Sequence, residues 1–169
     1  YARFLKTLMK HEALVETVFY RLVDQIRAAL PDFGKQLAID SKAISSFAKR
    51  RNRKEAPDGR RDTDADDGKK TYHGVKENGT LWEKVVTWFG YKLHLIVDAV
   101  YELPVHFRVT KASASDVRQA HQMLEEMEQK QPDILSEADT LAGDKAYDDK
   151  KLIMRLWDEY GIKPVIDIR

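Results

Sequence analysis

Two aspartates have the residue type and spacing for metal-dependent chemistry. Asp40 lies within the apolar run LAIDSKAIS (37–45), and Asp144 follows the short run TLA after a single glycine. A buried, unpaired carboxylate is costly, so such a residue needs a charged partner, a metal ion or a role as an N-cap. In open α/β sheets, ligands bind at the carboxyl ends of the strands. If the two strands are adjacent and parallel, both carboxylates reach one place.

The chemistry open to such a pair is displacement at phosphorus. Two neighbouring carboxylates repel each other unless a cation lies between them, and oxygen ligands without His or Cys suit Mg²⁺ or Mn²⁺. Two such ions about 4 Å apart are the usual device for in-line phosphoryl transfer. The alternative is that the aspartates form turns or cap helices, as strand-end aspartates more often do. Asp148 and Asp149 fit that capping role at the next helix, and spacing alone leaves both interpretations open.

Composition indicates one ordinary globular domain. The 169 residues carry a net charge of +1, so any attraction to nucleic acid must be local. The sequence has no cysteine, which excludes disulfides and thiolate metal sites and suits a reducing compartment. No apolar run approaches the length of a membrane span, and the N-terminus lacks a signal-peptide pattern. The chain lacks an initial Met and ends in the apolar run PVIDIR, so we expect a fragment, cut at one or both ends.

Periodicity predicts an α/β fold. Residues 1–32 form an N-terminal helical segment, and 33–169 form the main domain. Within it we expect a strand at QLAIDSKAI, an antiparallel hairpin from YKLHLIVDA and VHFRVT, and two later helix–strand steps. Such steps require parallel neighbours with right-handed crossovers. The prediction is a mixed sheet, an antiparallel meander plus parallel strands, with helices on its faces and a long insertion after the first strand.

The insertion, 46–90, is predicted to be partly disordered. Residues 49–61 carry seven basic and two acidic residues, a local charge of +5, with almost nothing apolar to bury. Further along, Trp82, Trp88 and Phe89 are expected to hold the insertion against the core.

Several other polar residues have simpler expected roles. Asp98 is predicted to form a turn rather than an outer metal contact, and Asp116 to begin a capping box with Gln119. His94 and His106 are predicted to form a cross-strand polar pair instead of binding metal. Tyr147 is predicted to pack against the core; contact with substrate is its alternative.

Five stretches together resemble a known family. They are LAIDSKAI, GRRDTDAD, WFGYKLHLIVDAVYELPVHFRVTKASASDV, LAGDKAYDD and GIKPVIDIR, spanning about residues 33–169. With them the chain resembles a bacterial insertion-sequence transposase of the DDE class. The resemblance implies an RNase H-like fold in which Asp40 and Asp144 are the first two catalytic, metal-binding acids. It also implies Mg²⁺ or Mn²⁺ as cofactor, DNA as partner, cleavage at transposon ends followed by strand transfer, a homodimer in the synaptic complex, and a cytoplasmic, nucleoid-associated location.

The family also uses a third acid, a glutamate on a later helix. Glu159 stands near the far end of the helix that leaves Asp144, about 15 Å away at 1.5 Å per residue, and Glu137 precedes the strand. The resemblance therefore implies that this chain stops before the third acid. We expect weak metal binding and slow or absent cleavage from it alone.

DNA contacts are predicted for five basic residues, with a steep salt dependence. These are Arg50, Arg51, Arg60, Arg61 and Lys145. The alternative for the arginines is a solvated loop that touches nothing, since acids from 62 to 67 compete for them. For the whole chain the alternatives are a related RNase H-like nuclease, a decayed DNA-binding fragment of a transposase, or an α/β fragment without activity of its own.

Overall fold

The computed structural model describes residues 2–48, 62 and 64–168. The elements in chain order are α1 (Ala2–Met9), α2 (Glu12–Ala29), β1 (Gln36–Ser45), β2 (Asp66–Val75), β3 (Leu81–Asp98), β4 (Pro104–Lys111), α3 (Asp116–Lys130), α4 (Pro132–Glu137), β5 (Thr140–Gly143), a 3₁₀ turn (Lys145–Tyr147), α5 (Lys150–Asp158) and β6 (Lys163–Ile166).

The six strands of this part of the chain form one mixed sheet. Its order is β2-β3-β1-β5-β6, with β4 also pairing with β3. Strand β3 pairs antiparallel with β1, β2 and β4, whereas β5 pairs parallel with β1 and β6. The α/β fold class, with an antiparallel meander plus parallel strands, is confirmed.

Helices α3 and α5 cover the sheet because their apolar residues recur at helical spacing. The buried residues of α3 are Ala120, Met123, Leu124 and Met127, and those of α5 are Leu152 and Leu156. Gly161 follows α5 at φ +68°, a conformation that glycine adopts without strain, and the chain then turns into β6. These buried residues hold both helices against the core of the sheet.

The buried face of β3 is its polar one. His94, Ile96 and Asp98 are almost fully buried, whereas the alternate residues Leu93 and Leu95 are only half-buried. The polar members are tolerated because each has hydrogen-bond partners, described below. Alternation therefore predicts the strand correctly and leaves open which face lies inward.

The N-terminal segment forms two helices where the sequence suggests one. The break falls between α1 and α2, around Lys10 and His11. Helix α2 packs on β4 through Phe19 and Phe107, whose rings meet edge to face at 4.8 Å between centroids, and it contributes Val23 to the core. A domain boundary at residue 32 stays a prediction. No helix among the described residues is long and apolar enough to cross a membrane.

The described part of the insertion forms a hairpin that the sequence did not predict. Residues 66–90 form an antiparallel hairpin of β2 and the first half of β3, which we call the arm. At Gly90 (φ +150°) β3 passes from pairing with β2 to pairing with β1, and a Cβ there would lie 2.2 Å from the Ile44 carbonyl oxygen.

The tryptophans of the arm pack within the arm instead of against the core. The Trp88 ring lies on Gly68 and the Trp82 ring on Gly74, each across the hairpin from its glycine. Aromatic rings laid over cross-strand glycines stabilise a hairpin that has no core beneath it. The expectation that these tryptophans clamp a loose loop onto the core was therefore wrong.

Candidate active site

The parallel pairing of β1 with β5 brings Asp40 and Asp144 next to each other at the carboxyl end of β5. The register matches Gln36 with Thr140 and ends by matching Ile39 with Gly143. Asp40 and Asp144 are the next residues along the two strands, so they lie side by side where β5 ends, while β1 continues to Ser45. This is the position at which open α/β sheets bind ligands.

Both carboxylates are exposed and locally oriented. Burial along β1 ends at Ile39, so Asp40 is not the buried charge that the apolar run suggests. Its Oδ1 accepts a hydrogen bond from the Ser41 backbone N–H at 2.7 Å. Asp144 caps the 3₁₀ turn, with its Oδ1 accepting from the Ala146 backbone N–H at 2.8 Å. A carboxylate has about four lone-pair positions, so one such bond is compatible with metal binding.

Tyr147 packs next to these two carboxylates. Its ring packs against Gly143 and is almost fully buried, as predicted. Its hydroxyl is buried without a hydrogen bond of ordinary geometry to any described residue. Burial, followed by the negative charges of Asp116 and Asp40, raises the pKa of the Tyr147 hydroxyl above its usual value, while neighbouring Ser41 opposes the shift. The hydroxyl therefore stays protonated and lies within the electrostatic reach of the acids.

Asp116 is a carboxylate of this site that sequence reasoning missed. It is the first residue of α3, and it pairs with Lys92 at 3.1 Å and faces His94 at 3.6 Å instead of closing a capping box. Lys92 also donates to the Ala114 carbonyl at 2.9 Å. This contact could not be predicted from the sequence, because Lys92 and Asp116 are separated in the chain and meet only when β3 and α3 pack together.

The two buried histidines support the structure around the site, and they do not pair with each other. His94 bonds the Thr110 hydroxyl at 2.9 Å, and burial lowers its pKa to about 4. His106 bonds the Tyr20 hydroxyl and Glu126, at 2.9 and 3.1 Å. Burial also lowers the pKa of His106. The predicted cross-strand pair was wrong because register sets His106 opposite Ile96.

Asp98 and Asp149 have the structural roles that the sequence predicts. The carboxylate of Asp98 accepts hydrogen bonds from three backbone N–H groups, at Gly34, Val100 and Tyr101, and so closes the turn after β3. Asp149 caps α5 by accepting from the Leu152 N–H at 2.9 Å.

A cleft of about 850 Å³ opens beside Asp144. Its walls come from β1, the arm, the start of α3 and the 3₁₀ turn. It is lined by Ser41, Lys42, Ala43, Lys69, Lys70, Thr71, Tyr72, His73, Val86, Trp88, Lys92, Asp116, Asp144, Lys145 and Ala146. Lys145 thus lies in the cleft, whereas Arg50, Arg51, Arg60 and Arg61 fall outside the described residues.

The glutamates considered as a third acid are engaged elsewhere. Glu159 bonds Arg155 at 3.0 Å, and Glu137 bonds Arg27 at 2.7 Å. Within the described ranges, no group of three or more His, Asp or Glu residues is arranged to hold a metal ion. The site therefore offers Asp40 and Asp144, with Asp116 beside them already paired to Lys92.

Comparison with known proteins identifies the family. A family model described as Transposase DDE domain matches residues 31–169, which include both aspartates, the strands that carry them and the arm. No curated protein and no solved structure matched the chain. Members of this family cut and transfer DNA, and they generally use divalent metal ions. Because the match covers most of its length, the chain belongs to the transposase DDE domain family.

Proposed function

We propose that this chain is the catalytic core of an insertion-sequence transposase, with Asp40 and Asp144 as its first two catalytic acids. The observation that supports this most is the parallel register of β1 and β5, in which Asp40 and Asp144 directly follow the last matched pair, Ile39 and Gly143. The expected reactions are DNA cleavage at the transposon ends and strand transfer into a target.

The residues present fit a hard divalent cation. Asp40 and Asp144 are both exposed, and each retains acceptor capacity beyond its single backbone bond. Mg²⁺ is commonly bound through one or two carboxylates, with water and substrate phosphates completing its shell. When bound, such ions lower the pKa of the attacking water or hydroxyl and stabilise the leaving oxygen.

The protein's own residues position the DNA and its charge. Lys42 and Lys145 lie in the cleft with Asp144, where their positive charge favours a phosphodiester backbone. In cleavage, water attacks phosphorus and the P–O bond to the 3′ oxygen breaks, leaving a 3′-hydroxyl and a 5′-phosphate. In strand transfer that 3′-hydroxyl attacks a target phosphodiester and displaces the target's 3′ oxygen.

Further parts of the proposal come from the family. The synaptic complex holds two transposon ends, so we propose a homodimer that acts on nucleoid DNA in the bacterial cytoplasm. We also propose that Arg50, Arg51, Arg60 and Arg61 contact DNA phosphates, because of the local charge of +5 in residues 49–61.

Metal titration tests the proposal. We expect Mn²⁺ binding, measured by calorimetry, to weaken at least tenfold in Asp40→Asn and in Asp144→Asn. Asp24→Asn is the matched control, since it removes one exposed carboxylate from α2, away from the cleft. Equal Mn²⁺ affinity in all four proteins would refute the site. DNA affinity that is salt-sensitive but indifferent to Mn²⁺ would instead favour a non-catalytic DNA-binding fragment.

A further inference from the structure

The arm forms a wall of the cleft that contains Asp144. Lys69, Lys70 and Tyr72 of β2 line this cleft together with Asp144 and Lys145 from the far side of the sheet. The arm is far from the two aspartates in the sheet order, since β2 is an edge strand. The cleft therefore extends from the arm across Ser41–Ala43 of β1 to Asp144 after β5.

The arm is anchored at its base by contacts with residues outside the hairpin. The Trp88 indole N–H donates to the Tyr91 carbonyl at 3.0 Å. Asp66 accepts hydrogen bonds from the backbone N–H and the hydroxyl of Ser113, just beyond β4. Together with the packing of Trp88 on Gly68, these contacts hold the first residues of β2 in a defined position. Because this surface is already ordered, a partner that binds it does not incur the entropy cost of ordering it.

The arm offers positive charge together with an aromatic face. Lys69 and Lys70 are exposed, and Tyr72 is 43% exposed, with the Lys70 ammonium 5.6 Å from the centre of its ring. Lysines on an edge strand also discourage pairing with other chains, which is their simplest role. That role does not account for an exposed aromatic ring beside them, in a cleft shared with a catalytic acid. Lysine with an accessible aromatic ring is the combination that binds unpaired nucleic acid strands.

We propose that the arm binds the DNA strand that carries the scissile phosphate, with Lys69 and Lys70 on its phosphates and Tyr72 stacked on an unpaired base. This assignment rests on the proposed function, because it takes the strand to be the substrate of Asp40 and Asp144. The arm acts as a positioning element: it fixes the path of the strand on the side of the cleft opposite Lys145.

Fluorescence anisotropy over a range of salt concentrations tests the lysines. The probes are a fluorescein-labelled single-stranded oligonucleotide and the duplex formed with its complement. For the double variant Lys69→Ala/Lys70→Ala, the slope of log affinity against log salt should fall by about 1.4 on the single strand and about 1.8 on the duplex. The control is Lys6→Ala/Lys10→Ala, in α1 and just after it, which removes the same charge outside the cleft and should leave the slope nearly unchanged.

A second variant tests the stacking. Tyr72→Leu keeps an apolar side chain on the strand and removes the ring. It should lower affinity for the single strand about tenfold and for the duplex much less, because only an unpaired base can stack. Equal loss on both probes, or none, would overturn the stacking assignment.

The outcomes separate the arm from the rest of the proposal. If the arm variants bind like the wild type while Asp40→Asn and Asp144→Asn lose Mn²⁺ binding, the arm assignment is wrong and the active site stands. If the wild type binds neither probe, the arm assignment is wrong, and the Mn²⁺ titration decides the active site independently. A reduced slope in the arm variant alone, with unchanged thermal unfolding, supports the arm as a DNA contact.

Discussion

Replacing Tyr147 with Phe should make the protein more stable. The hydroxyl of Tyr147 is buried among acidic neighbours and has no hydrogen bond of ordinary geometry within the described residues. Tyr147→Phe removes that hydroxyl and keeps the ring that packs against Gly143, so it leaves almost no cavity.

The magnitude follows from the desolvation of the hydroxyl. A buried polar group without a partner costs about 1–3 kcal/mol, and removing it recovers part of that cost. We therefore expect the free energy of unfolding to rise by about 1 kcal/mol. Tyr20→Phe is the matched control, since the Tyr20 hydroxyl bonds the ring nitrogen of buried His106 at 2.9 Å. Its loss leaves that nitrogen unpaired and should lower stability by about 1–2 kcal/mol.

Urea unfolding of both variants at neutral pH measures these opposite signs, and Mn²⁺ titration supplies the functional readout. Because the Tyr147 hydroxyl lies near Asp40 and Asp144, we expect the more stable variant to bind Mn²⁺ more weakly. A loss of stability in Tyr147→Phe as large as that in Tyr20→Phe would refute the reasoning. It would mean that the Tyr147 hydroxyl is well bonded, with Ser41 as the candidate partner.

Three further predictions concern the scaffold. The free energy of unfolding should fall by up to about 3 kcal/mol as the pH drops from about 6.5 to about 4, because His94 is protonated in the unfolded state but stays neutral when it is buried in the fold. His94→Asn should flatten this part of the stability–pH curve. Gly90→Ala should cost about 2–3 kcal/mol in thermal unfolding through its clash with backbone, whereas Gly79→Ala, also at positive φ but with open space around it, should cost about 1 kcal/mol. Asp98→Asn should lower the urea midpoint by the equivalent of about 2 kcal/mol, since an amide nitrogen cannot accept from the backbone N–H groups that the carboxylate satisfies; an unchanged midpoint would contradict this.

The parallel half of the sheet could be predicted because its signals are local. The α3 and α5 stripes repeat at helical spacing, and β5 and β6 are short apolar runs between helices and turns. Right-handed crossovers then limit the ways in which such elements pair. The neighbouring position of Asp40 and Asp144 follows from this part of the fold, so the candidate site was within reach of the sequence.

The arm could not be predicted by the same means. Both of its faces are largely exposed, so the alternation of apolar and polar residues that marks a half-buried strand is missing. Its stabilising contacts are Trp–Gly pairs across the hairpin, which depend on register. A run such as DDGKKTYHGV therefore has the composition of a loop although it forms β2.

The turn that Asp144 forms in the structure is compatible with the metal-binding role proposed for it. Its Oδ1 caps the 3₁₀ turn, and that bond fixes the position of the carboxylate at the strand end while leaving its other lone pairs available to a ligand. The bond from the Ser41 N–H holds the Asp40 carboxylate in the same way. A ligand whose direction is already set loses little conformational freedom when it binds, so local hydrogen bonds of this kind favour binding by pre-organisation. The same aspartate can form a turn and still offer free acceptor positions to a metal ion, so the sequence pattern alone does not distinguish the two roles.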